Sequence, residues 1–215
     1  MIEAGVTLAI ESAVAGGSLS LLDPTGREIE SWVGSDTNVA RAEDLIVNID
    51  ALLSTAGLTT SDLGLIAVSA GPGSFTGIRI GIATALGLKN GLGIPMSSSS
   101  VLGSIVTANV AKASRGLRFC SVVPSGRGAV SLGTFELNDG TQRERQEPRT
   151  IPASELTSFV AQNEDLHFLV HSDLFADIPP TRRVTDIGRN LARFVGLDCL
   201  ANRRTTAPVF LSKSF

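Results

Sequence analysis

A chain of 215 residues, 43% hydrophobic and 18% charged, folds as one large domain or two small ones and is not disordered. A formal net charge of −3 argues against a broad electrostatic grip on nucleic acid, and two isolated cysteines, Cys120 and Cys199, read as reduced, buried thiols. Without a basic, apolar leader or a membrane-length apolar run, the chain is expected to be soluble and cytoplasmic, with no membrane role.

Val6 to Glu11 and Ser18 to Leu22 read as strands, and the turn residues Asp23-Pro24-Thr25-Gly26 lead back into a third, Arg27 to Val33. Ser35, Asp36 or Thr37 is expected to cap a helix over 39–56, whose stripe is Ala42, Leu45, Ile46, Ile49, Leu52, Leu53 and Ala56. Gly57 ends it, and an apolar strand, Leu65 to Ser69, follows.

That strand runs into Ala70-Gly71-Pro72-Gly73-Ser74-Phe75-Thr76-Gly77, and a long helical pattern over 76–92 leaves it. Strand, glycine-rich turn and helix is an arrangement that aims backbone N–H groups at an anion. Gly71 and Gly73 allow backbone shapes or close approaches that a Cβ forbids, and Ser74 and Thr76 are candidate caps whose hydroxyls suit a phosphate. Walker spacing is absent, since no lysine precedes Lys89. The alternative is a tight turn that binds nothing. The helix is apolar nearly all round: Ile78, Ile82 and Ala85 lie on one side, Ile80, Ala83 and Gly87 on another. Such a helix is buried on more than one side, so a partner helix is expected against its small residues.

After Ile94-Pro95, Ser100 caps a helix from Val101 to about Ala113. Beyond Arg115-Gly116 the pattern restarts: strands over Leu117 to Val123, Ala129 to Leu137 and Thr141 to Ile151, a helix over Ala153 to Gln162, a strand over His167 to Val170, and a helix over about Thr185 to Val195. A β-β-β-α-β-α order thus appears twice, offset by about 110 residues. Two such α/β units face to face are the actin-like (sugar-kinase and Hsp70, ribonuclease H-like) architecture, here with lobes at 1–100 and 101–215 and the last helix packing back on the first lobe.

The block Gly71-Pro72-Gly73-Ser74-Phe75-Thr76-Gly77-Ile78-Arg79-Ile80-Gly81, continued in Ala85-Leu86-Gly87-Leu88 and Gly91-Leu92-Gly93-Ile94-Pro95, strongly resembles the TsaB (YeaZ) family. Leu8-Ala9-Ile10-Glu11-Ser12, Leu63 to Val68 and Ala207 to Leu211 add to the likeness, which is good over 6–110 and thin beyond. That family is the inactive paralogue of TsaD, which makes threonylcarbamoyladenosine at position 37 of tRNA. The resemblance implies a non-catalytic subunit that activates a TsaD-like enzyme, with a TsaE-like ATPase as a further partner. It also implies a homodimer when the chain is alone, and tRNA contact only indirectly. Its phosphate-like loop would comprise Gly71, Gly73, Ser74, Thr76, Gly77, Glu11 and Ser12, and its partner face Ile46, Ile49, Leu53, Ile78, Ile82, Ala85 and Lys89. On this assignment Ala85→Arg blocks association and spares the fold. No cofactor is expected, with ATP or ADP at the joint interface left open.

The chain departs from the family's usual Ile-Asp-Thr-Ser opening at Ile10-Glu11-Ser12, and from its Asp-Ala-Arg turn at Pro124-Ser125-Gly126-Arg127. The TsaD His-x-x-x-His pair falls on Val101 and Ile105, which cannot ligate a metal. His167 and His171 are also four apart, but on a strand that places them about 13 Å apart, so a structural role is expected. No catalytic set stands out; Glu11, Asp173 and Asp186 read as caps or solvated charges. The rivals are a stand-alone ATP-dependent phosphotransferase, with Glu11 holding Mg²⁺, and a metallopeptidase. Residues 182–215 carry seven basic and two acidic side chains. Arg182, Arg183, Arg189, Arg193, Arg203 and Arg204 there either help to hold tRNA in the assembled complex or merely solvate a helix.

Overall fold

The first five strands build one sheet whose two faces are both covered. In the computed structural model, residues 5–14, 16–34, 42–110, 116–126, 128–138, 141–144, 147–176, 178 and 183–202 are described. Strands β1 (Val6–Glu11), β2 (Ser18–Leu22), β3 (Glu28–Val33), β4 (Leu63–Ser69) and β5 (Met96–Ser99) lie in the order β3-β2-β1-β4-β5. β1 pairs antiparallel with β2 and parallel with β4. Helices α1 (Ala42–Thr55) and α2 (Phe75–Leu92) cover the face bearing Leu8, Ile10, Ile66 and Val68. Each large aliphatic side chain buried there contributes about 1.5–3 kcal/mol over its exposed state.

The second sheet repeats this plan. β6 (Arg118–Pro124), β7 (Ala129–Asn138), β8 (Thr141–Glu144), β9 (Arg149–Pro152), β10 (Leu166–Val170) and β11 (Val184–Asp186) run β11-β10-β6-β7-β8, with β9 also on β7. Helix α4 (Leu156–Gln162) packs on its outer face through Leu156 and Val160, against Phe168 and Val122. A single turn, α5 (Ser172–Phe175), follows β10. Between the two sheets lie α3 (Val101–Val110) and α6 (Leu191–Asn202). Their Val101, Ile105, Leu191 and Val195 share one core with Ala9 and Ala67 of the first sheet and Phe119 and Phe135 of the second.

α6 reaches the first sheet because that face is small and polar. Ala192 N–H donates to Ser18 Oγ at 2.9 Å, Asn190 Nδ2 donates to Glu28 Oε1 at 2.7 Å, and a Cβ on Gly196 would sit 2.5 Å from Leu22 Cδ1. Among the described residues no helix is long and apolar enough to cross a membrane.

Three element assignments differ from the sequence reading. β5 is an extra strand, hidden because Met-Ser-Ser-Ser shows no apolar alternation. The expected strand from Thr141 to Ile151 is two, β8 and β9, each paired with a different stretch of β7. The final helix starts later than expected: residues 184–186 are a strand, Gly188 turns the chain at φ 78°, and Asn190 Oδ1 caps α6 by accepting Arg193 N–H at 3.3 Å. The expected caps Ser35, Asp36 and Thr37, with Arg127, Arg182, Arg203, Arg204 and 207–211, lie outside the described residues.

Candidate functional site

The glycine-rich turn joins β4 to α2 and is stitched to its own chain through several of its donors. Ser69 Oγ accepts Gly71 N–H at 3.1 Å, and Gly71 O accepts Val101 N–H at 2.9 Å. Ser74 is the N-cap of α2, its Oγ accepting Gly77 N–H at 3.2 Å; Thr76 stands exposed in the first turn instead. The glycines fit a second turn, the one following β1. An added Cβ would lie 2.3 Å from Ala13 O at Gly73, 1.9 Å from Ser12 O at Gly77 and 2.3 Å from Ser12 Oγ at Gly81. Ser12 Oγ donates to Gly77 O at 2.8 Å, and Ser74 N–H donates to Ala13 O at 2.6 Å. The two turns are therefore locked backbone to backbone, and glycine is needed for that contact.

Glu11 closes the same cluster. It ends β1 with 1% exposure, and its Oε1 accepts Ala13 N–H at 2.6 Å and Val14 N–H at 3.0 Å. Burial pushes its carboxyl up to about 7, against the downward pull of those two N–H groups. Glu11, Ser12, Gly71, Gly73, Ser74 and Gly77 are thus brought together, but the N–H groups of Ala13, Val14, Gly71, Ser74 and Gly77 already have acceptors within the chain. The corresponding turn of the second sheet is likewise bonded to itself: Ser125 N–H donates to Ala129 O at 2.9 Å, and Ser131 Oγ donates to Ser125 Oγ at 2.9 Å.

The histidines have separate local roles. His167 packs beside the Phe119 ring at 5.6 Å, while buried His171 accepts Asp173 N–H on Nδ1 at 3.3 Å and caps α5. Burial lowers the His171 pKa, with the Asp173 and Asp186 carboxylates opposing. Asp173 pairs with Arg189 at 2.9 Å, and Asp186 accepts Ser172 Oγ and Gly188 N–H. Val101 and Ile105 are core residues without exposure, and no group of three His, Cys, Asp or Glu among the described residues is placed to hold a metal.

The helix face assigned to a partner needs correction. Ile49, Leu53 and Ala85 belong to this chain's own core, with Ala85 at 0% exposure; Ile78, Ile82 and Lys89 are half-buried, and only Ile46, at 49%, is open. The stripe Gly77, Gly81 and Ala85 is the side of α2 that meets β1 and β4, so the outward side carries Phe75 (55% exposed), Arg79, Ala83 and Leu86 (40%). Val47 (66%) stands beside Ile46 on the neighbouring α1, and the Arg79 guanidinium lies 3.7 Å over the Phe75 ring. Val47, Phe75 and Leu86 were missed. The usable signal was the four-residue spacing of Gly77, Gly81 and Ala85, which marks a face pressed on a backbone.

Two sheets with reciprocal strand orders, enclosing two helices and flanked by others, define an actin-like, two-lobed α/β protein. Residues 36–165, more than half of the sequence, match the family model described as TsaD: tRNA N6-adenosine threonylcarbamoyltransferase, and the chain belongs to that family. The likeness to TsaB is upheld by the Escherichia coli tRNA threonylcarbamoyladenosine biosynthesis protein TsaB, 44% identical over 54 residues, or 25% of this chain and 23% of that one. An uncharacterized protein of Mycobacterium tuberculosis is 44% identical over 66 residues, 31% of each chain, so these matches span less than a third of either relative. In fold, YeaZ from Pseudomonas aeruginosa is similar with a TM-score of 0.60 at 20% identity, covering 96% of this chain and 100% of that one.

Proposed function

We propose that this chain is a non-catalytic subunit in the formation of N6-threonylcarbamoyladenosine on tRNA, and that it binds and activates a TsaD-like enzyme through the outer faces of α1 and α2. The observation that carries the reading is the exposure of four large apolar side chains, Ile46, Val47, Phe75 and Leu86, on two helices that pack on each other. Exposed large apolar surface is what an interface covers. Two helices from each partner bury about 1,600 Å² in total, the size of a standard specific interface.

Other features support the same reading. The turns that would cradle phosphate spend their donors internally, and the positions of the TsaD histidine pair are core valine and isoleucine. The lobes divide near residue 100. The same face pairs two copies when the enzyme is absent, a TsaE-like ATPase joins the pair, and tRNA touches the chain only through the assembly. Arg189 is engaged with Asp173, and among the described residues Arg183 and Arg193 of the basic set named above are exposed.

The deciding experiment is reconstitution with the TsaD-like subunit of the same cell, read by analytical ultracentrifugation and by modified nucleoside formed on tRNA. A stoichiometric complex, and nucleoside formation that depends on this chain, are expected. Tight ATP–Mg²⁺ binding and phosphoryl transfer by the isolated chain would favour the phosphotransferase rival; bound metal with peptide cleavage would favour the peptidase. Failure to assemble overturns the proposal.

A further inference from the structure

We propose that the cleft between the edge strand β3 and the turn from β11 into α6 is a binding site for a free α-amino acid with a bulky apolar side chain. The cleft follows from strand register. Glu28, Ser31 and Val33 stand opposite Leu22, Ser20 and Ser18, so they lie on the face of the first sheet that α6 meets. α6 lies over β1, β2, β4 and β5 and leaves this face of β3 open towards the second lobe. The space that remains is about 710 Å³, within the range of roughly 300–1,000 Å³ usual for a small-molecule site. Neither the glycine-rich turn nor the turn after β1 lines it, so it is separate from the phosphate-like loop.

Two charges of opposite sign line this space and do not pair. Glu28 Oε1 accepts Ser20 Oγ at 2.8 Å and Asn190 Nδ2 at 2.7 Å, which fixes the carboxylate, while its other oxygen takes no hydrogen bond from the described residues. Arg193 stands exposed three residues on from Asn190 and, like Glu28, has no ion-pair partner among the described residues. Arg189 also lines the cleft but is taken by Asp173 at 2.9 Å. One carboxylate and one guanidinium make a site that is neutral overall. A dianion would be repelled by Glu28, and a simple cation would leave Arg193 unmatched, so the complementary ligand carries both an ammonium and a carboxylate. Val33, Ile187 and Phe194 give the same cleft an apolar wall, which suits a side chain of leucine or phenylalanine size.

The test titrates the full chain by calorimetry near neutral pH with three probes: L-phenylalanine, 3-phenylpropionate, which lacks the ammonium, and phenethylamine, which lacks the carboxylate. One L-phenylalanine binds per chain, and each half-molecule binds about tenfold more weakly, the size of one lost charge-assisted contact. Glu28→Gln, whose amide oxygen still accepts from Ser20 and Asn190, weakens L-phenylalanine about tenfold and leaves 3-phenylpropionate no weaker. Arg193→Gln weakens L-phenylalanine by a like factor and leaves phenethylamine no weaker. In ¹⁵N-labelled protein the amide resonances of Val33, Gly188 and Phe194 move saturably with L-phenylalanine. Absence of L-phenylalanine binding at millimolar concentration overturns the proposal, as do equal affinities for the three probes, variants that weaken all three alike, or resonance shifts confined to other parts of the chain. Should Glu28→Gln fail to fold in a melting control, the titrations of Arg193→Gln decide alone, since that side chain is exposed.

Discussion

Changing Ala85 to arginine separates the sheet-facing side of α2 from its outward side. Ala85 has no exposed surface, lies one turn beyond Gly81, and shares a core with Leu45, Ile49 and Val68. A Cβ added at Gly81 would lie 2.3 Å from Ser12 Oγ and 3.7 Å from Val68 Cγ2, so α2 rides close on the sheet and the larger side chain has nowhere to go. Overpacking costs roughly 1–3 kcal/mol, and a buried unpaired guanidinium several more. The sum is about 5 kcal/mol against a total stability of about 5–15 kcal/mol. Ala85→Arg should therefore lower the melting temperature by roughly 10–20 °C or prevent soluble expression. Leu86→Arg, on the exposed side, should melt within about 2 °C of wild type yet fail to join the TsaD-like subunit. Circular-dichroism melts of both variants, with sedimentation of the second beside its partner, decide the matter. An Ala85→Arg protein that melts like wild type would refute the placement of that stripe against the sheet.

Four further outcomes follow from the same packing. Gly77→Ala should destabilise by about 3 kcal/mol, because its Cβ would lie 1.9 Å from a backbone oxygen. Gly87→Ala, with nothing within 4 Å, should stabilise by up to about 1 kcal/mol in urea titrations. Glu11 has its folded pKa raised from 4.5 to about 7, so its contribution is complete below pH 4.5 and is lost as pH rises through 7. That change is worth roughly 3 kcal/mol; Glu11→Gln should remove it, so parallel urea stabilities of wild type and variant from pH 4.5 to 8 would refute the effect. Cys120 and Cys199 are buried, with burial pushing both thiols up to about 12, so neither should react with a thiol reagent at pH 8 until the chain unfolds.

The glycine-rich block was legible as a special place from Gly71, Gly73 and Gly77 alone, and Ser74 as its cap. What these glycines face was not legible, because a close approach to a phosphate and one to a neighbouring turn require the same missing Cβ. The answer depends on Ser12 and Ala13, some sixty residues away in sequence, and on whether Glu11 points into that turn. The same degeneracy misplaced Ala85: small residues suit a partner helix and a chain's own sheet equally well. The repeat of two sheets was readable from strand order, since Leu8, Ile10, Ile66 and Val68 carry clear alternation. β5 and β11 were not, because short edge strands gain little from apolar side chains.

The return of α6 to the first sheet sets the order in which the molecule can be completed. Ser18 waits for Ala192, a contact spanning 174 residues, and Gly196 is the residue that lets the helix settle on Ala9 and Leu22. A nascent chain that has emerged only as far as β5 has its strands and α1 and α2, but Ala9, Leu65 and Ala67 still face water. Contacts of such long range are slow to form, and exposed apolar sheet is what chaperones meet on a translating ribosome. Co-translational folding should therefore leave the first lobe open and sticky until α6 clears the exit tunnel, and closure of the whole molecule should be a single late step.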